Sequence, residues 1–86
     1  VTPILDRIRA NGGEVIRNEW RLTIRRGRLS DAALEWLRDP RRKSALLHET
    51  WHLADAFEER AAIREYMGGE DRETAEREAY RELYTA

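Results

Sequence analysis

The chain has no cysteine in its 86 residues, and that absence constrains the fold more than any residue present. A unit this short buries a modest core, and without disulfides it is held by packing alone. There is little room for an enclosed active site, so binding is the first expectation, and thiolate chemistry is excluded. No run approaches the roughly 18 apolar residues that a bilayer crossing needs. Asp6, Arg7 and Arg9 stand where a signal peptide would be apolar. The expected product is one soluble, cytoplasmic domain over residues 1–86, with no membrane partner.

Glycine, proline and capping residues divide the chain. Thr2 before Pro3 reads as a helix cap followed by the first helical residue. Ile4, Leu5 and Ile8 then repeat at helical spacing until Asn11-Gly12-Gly13 stops them. A hairpin follows, with strands at 14–17 and 20–26 around Asn18 and Glu19. Trp20, Leu22 and Ile24 alternate with Arg21, Thr23 and Arg25, giving one apolar and one basic face. Gly27 closes the hairpin, and Ser30 caps a short helix carrying Leu34 and Leu37. Asp39-Pro40 opens a third helix. Nothing interrupts the pattern before Gly68-Gly69, so this helix extends about 28 residues, roughly 42 Å at 1.5 Å per residue, with His52 as the place for a bend. Asp71 caps a last helix bearing Ala75, Ala79, Leu83, Tyr80 and Tyr84.

The fold class expected is α+β, mostly helical, in the order α-β-β-α-α-α. The two-stranded antiparallel hairpin is packed on helices, because two strands alone make a marginal sheet.

The formal net charge of −1 conceals a division. Residues 1–47 carry 11 Arg/Lys against 6 Asp/Glu, and residues 48–86 carry 5 against 11. Either the basic half meets phosphate or an acidic protein, or the halves neutralise each other within the fold. Arg17, Arg21, Arg25, Arg26 and Arg28 crowd the hairpin, whose exposed edge is a template for an added strand and whose arginines favour an acidic segment. The same arginines also read as a solvated face. Trp20 beside Arg21 and Arg25 reads either as core or as a platform for a nucleic-acid base.

His48-Glu49-Thr50-Trp51-His52 has the H-E-x-x-H spacing, in which two imidazoles one helical turn apart bind zinc and the glutamate acts as general base. On one continuous helix, His48, His52, Asp55 and Glu59 share a polar stripe. Asp55, Glu59, Glu73 and Glu76 are the candidate third ligands, Glu59 foremost. Leu46, Leu47, Trp51, Leu53, Ala54, Phe57 and Ala61 gather on the opposite side, which turns the histidines to water. The stripe then reads as ordinary solvated neighbours. No serine has a local base, and no glycine-rich loop joins a strand to a helix, so neither a cofactor nor catalysis is the first expectation.

From Ile4 to about Trp51 the hydrophobic spacings resemble those of the N-terminal docking domains of tubulysin-type (TubC-type) hybrid synthetases. The resemblance is carried by Ile4-Leu5-x-x-Ile8, Asn11-Gly12-Gly13, Trp20-x-Leu22-x-Ile24, Leu29-Ser30-x-x-x-Leu34-x-x-Leu37 and Arg41-Arg42-Lys43-x-x-Leu46-Leu47. It implies an αββαα core over residues 1–51 that dimerises and captures a short linear segment of a partner. Position by position, the implied groove involves Trp20, Leu22 and Ile24, with Arg17, Arg21 and Arg25 beside them. In that family a synthetase follows the domain; within these 86 residues none does, so docking is expected without assembly-line chemistry. Residues 52–86 form a helical extension whose Phe57–Tyr66 stretch, Gly68-Gly69 and Glu76-Arg77 look like the endings of small proteins of bacterial plasmids and phages. The first expectation is thus a non-enzymatic docking or adaptor module of bacterial or mobile-element origin. The alternatives are a nucleic-acid accessory protein and a minimal zinc hydrolase.

Overall fold

The computed structural model describes residues 2–85; Val1 and Ala86, the outermost positions of the expected domain, lie outside them. The elements are α1 (Ile4–Ala10), β1 (Glu14–Asn18), β2 (Arg21–Arg25), α2 (Asp31–Leu37), α3 (Pro40–Thr50), α4 (Ala54–Tyr66) and α5 (Arg72–Tyr84). The fold is α+β and mostly helical, with a two-stranded antiparallel hairpin, and the expected order holds with the long third helix divided into α3 and α4. The chain forms two compact units, one ending at His52 and one beginning at Leu53.

In the first unit Ile8, Leu29, Leu37 and Leu46 are buried together, with Val15, Leu22 and Ile24 of the hairpin packed against them. The hairpin thereby rests its apolar face on the helices, as an isolated pair of strands must. Three caps form where polar residues precede helices: Ser30 Oγ accepts from the Ala33 N–H, Asp39 Oδ1 from Arg41 and Asp71 Oδ1 from Thr74. Thr2 does not cap α1. Pro3 is its N-cap residue and makes no side-chain bond there. The Glu49 carboxylate instead reaches back from α3 and accepts the Ile4 and Leu5 N–H groups at 2.9 and 2.8 Å.

The hairpin turn lies one residue later than its sequence suggests. Asn18 pairs with Arg21, so Glu19 and Trp20 form the loop and Trp20 is not a strand residue. Glu19 has φ +59°, the conformation that a two-residue loop demands at its first position. Gly27 has φ +53°, and a Cβ there would lie 2.0 Å from the Gly12 carbonyl oxygen. Only glycine fits.

α3 ends at Thr50, whose hydroxyl donates to the Leu46 and Leu47 carbonyls at 3.0 and 3.2 Å. The Leu47 carbonyl still accepts the Trp51 N–H at 2.9 Å, and beyond that last helical bond Trp51 is extended at φ −147°, ψ 117°. Trp51 is nevertheless buried, as are Leu46 and Leu47 before the break and Ala54, Phe57 and Ala61 after it.

The second unit packs α4 on α5. The residues it buries are Ala54, Phe57 and Ala61 on α4 and Ala75 and Ala79 on α5. Small side chains at helical spacing let two backbones approach closely. Arg64 donates to both Glu70 and Glu82, Arg60 lies 3.3 Å from Glu82, and Arg72 bridges Glu65 and Glu76. The Arg64 hydrogen bond holds the Glu82 carboxyl below its ordinary 4.5.

Candidate functional site

Strand register decides which hairpin residues face outward. Val15 is paired with Ile24 and Arg17 with Leu22, and these pairs share the core face. Glu14 with Arg25, Ile16 with Thr23 and Asn18 with Arg21 share the other. The residues of the expected groove are therefore divided between the two faces. Leu22 and Ile24 are half-buried on the core cluster. Arg21 and Arg25 are exposed on the outer face with Thr23 between them.

Arg17 belongs to the core-facing register and is committed there: its guanidinium lies 5.1 Å over the Trp51 ring and donates to the Glu19 carbonyl at 2.7 Å. Trp20, half-buried in the turn, has the Arg21 guanidinium 5.1 Å over its ring.

The outer face also holds Ile16, an apolar side chain 40% exposed among polar ones. Alternation along Glu14-Val15-Ile16-Arg17 gives no sign of this, since both central residues are apolar; only the pairing register separates them. On the same face the Val15 backbone N–H, then the Arg9 guanidinium, with the charges of Arg9 and Arg25, holds the Glu14 carboxyl below the usual carboxylate range. Arg25 stands opposite Glu14 across the strands, while the Glu14 carboxylate itself is engaged by Arg9 and the Val15 N–H. The face combines one apolar contact with two guanidinium groups. Among the described residues the sheet has only these two strands, so each has one edge without a strand neighbour.

The H-E-x-x-H sequence does not form the helical face that its spacing implies. His48 lies in the last turn of α3, His52 lies beyond its end, and the extended Trp51 between them removes the i, i+4 relation. Glu49, the would-be general base, already accepts two backbone N–H groups of α1. Of the candidate third ligands, Glu76 is 3.4 Å from Arg72. Asp55, in the first turn of α4, is placed to favour that helix's N-terminus. No group of three or more His, Asp or Glu side chains is arranged to hold a metal ion among the described residues.

Neither protein-family models, curated proteins nor solved structures gave a match to this chain. No helix among the described residues is long and apolar enough to cross a membrane.

Proposed function

We propose that this chain is a non-catalytic protein-binding module that captures an acidic, partly apolar segment of a partner on the outer face of its hairpin. The observation that carries the reading is the register, which gathers Arg21, Thr23, Arg25 and the exposed Ile16 on one face of a sheet with unpaired edges. A captured strand would gain main-chain hydrogen bonds from an edge, an apolar contact from Ile16 and charge pairing from the two arginines. The resemblance to TubC-type docking domains supports capture of a partner segment at the hairpin, with a homodimer as the assembly it implies, although the Leu22 and Ile24 of its implied groove pack on the core here. We take the module to be a small cytoplasmic adaptor of bacterial or mobile-element origin.

The test is retention of proteins from a lysate of the source organism by wild type, by Arg21→Glu/Arg25→Glu and by an Arg38→Glu/Arg41→Glu control. The reading expects a partner kept by wild type and control and lost by the hairpin variant. Equal retention by all three overturns it. Titration with labelled DNA and RNA at low and physiological salt tests the nucleic-acid alternative, which requires affinity that falls steeply with salt and with the hairpin charge reversal.

A further inference from the structure

A groove of about 350 Å³ opens between α1 and α2 in the first unit. Its floor is the buried Ile8, Leu29 and Leu37, and Ile4, Ala33 and Trp36 form half-buried walls. One wall is fixed from behind, because the Glu49 carboxylate pins the backbone at Ile4 and Leu5. Ala32 and Ala33 on α2 are small, and their size leaves the space open.

Two guanidinium groups lie over the Trp36 ring, Arg42 at 4.1 Å and Arg7 at 5.0 Å, and they differ in their commitments. Arg42 donates to the Trp36 carbonyl at 3.0 Å and faces the Asp39 carboxylate at 3.7 Å. Arg7 lines the groove, is exposed, and has no carboxylate partner among the described residues. The groove thus has apolar walls and, among the described residues, a cation without a carboxylate partner at its lip.

We propose that this groove binds a small amphiphile carrying a carboxylate on an aliphatic chain. The volume is at the lower end of small-ligand sites. The aliphatic chain lies on Ile8, Leu29 and Leu37, where its transfer from water supplies the affinity. The carboxylate meets Arg7 in a charge-assisted hydrogen bond, which supplies selectivity over neutral chains of the same length. This site is separate from the hairpin face and does not depend on the protein-binding reading.

The experiment is methyl and indole NMR of the full chain titrated with octanoate and, separately, octan-1-ol, both below the concentration at which they aggregate. The expected result is a saturable shift at the Ile4, Ile8, Leu29 and Leu37 methyls and the Trp36 indole, with octanoate about threefold tighter than the alcohol. Arg7→Gln abolishes that preference, whereas Arg9→Gln, whose arginine pairs with Glu14 at 3.1 Å, preserves it. Ala32→Trp, at an exposed position, fills the groove and weakens both ligands while the remaining spectrum stays folded. The proposal is overturned by the absence of a saturable shift, by equal binding of acid and alcohol, or by equal effects of Arg7→Gln and Arg9→Gln.

Discussion

The unit ending at His52 buries branched aliphatic side chains, Ile8, Leu29, Leu37 and Leu46, and turns sharply at glycines pressed against backbone. The unit from Leu53 onward buries four alanines, Ala54, Ala61, Ala75 and Ala79, none more than 1% exposed, with Phe57 as the one large buried side chain among its described residues. Alanine removes little apolar area from water, so this second unit gains less per buried residue. Its Arg60, Arg64 and Arg72 all engage carboxylates. The first unit carries 11 basic against 7 acidic residues and the second 5 against 10. The first unit thus rests on branched aliphatic packing, and the second on close-packed alanines with ion pairs beside them.

All three tryptophans lie in the first unit and all three tyrosines in the second, so the two can be followed separately by their fluorescence. The sharpest contrast is between two glycines with positive φ. Gly27→Ala places a methyl against the Gly12 carbonyl and is expected to cost about 3 kcal/mol or more in urea unfolding read from tryptophan. Gly69 has φ +70° with nothing within 4 Å of an added Cβ, and Gly69→Ala is expected to cost only about 1 kcal/mol, read from tyrosine. Equal costs would show that backbone conformation alone, and not close approach, governs Gly27.

Acid is expected to separate the units next. Because Arg64 depresses the Glu82 carboxyl in the folded state, that stabilisation is complete above the ordinary 4.5 and is lost as pH falls through the lower folded value. The tyrosine signal of α4 and α5 should therefore lose stability progressively below pH 4.5, and Glu82→Gln should flatten that dependence. If Glu82→Gln leaves the acid profile unchanged, the Arg64 network does not set the packing of α4 on α5.

Smaller effects are expected from two residues of the first unit. Glu49→Ala should cost about 1 kcal/mol and expose the Ile4 and Leu5 amides to faster hydrogen exchange, with Glu49→Gln intermediate. Unchanged exchange would show that the Glu49 carboxylate does not hold the start of α1. Glu19→Gly should stabilise by about 0.5–1 kcal/mol, since glycine adopts the positive φ of the turn without side-chain strain. A loss of stability would place the value of Glu19 in its side chain.

What the sequence made legible was local. Ser30, Asp39 and Asp71 cap the helices they precede, Gly12 and Gly69 adopt positive φ beyond helix ends, and the apolar set from Leu46 to Ala61 is largely buried. What it hid depends on contacts distant in sequence or on competition at a single residue. No glycine or proline marks the end of α3; the chain turns extended at Trp51, after a threonine whose hydroxyl bonds the Leu46 and Leu47 carbonyls. Glu49 reads as half of a metal motif until its carboxylate is found 45 residues away along the chain, at the start of α1. The turn shifted because asparagine is the usual residue for positive φ, yet Glu19 adopts it here. That one-residue shift removed Trp20 from the strand. The pairing register also placed Ile16 on the outer face, where no pattern in the sequence had marked it.

The most direct test of the binding claim is amide hydrogen exchange across the hairpin, measured for the free chain and for the chain saturated with its captured partner. The account predicts protection gained along one strand edge between Glu14 and Arg25, weakened by salt and absent for Arg21→Glu/Arg25→Glu. Protection confined to α4 and α5, with the hairpin exchanging as in the free chain, would contradict it.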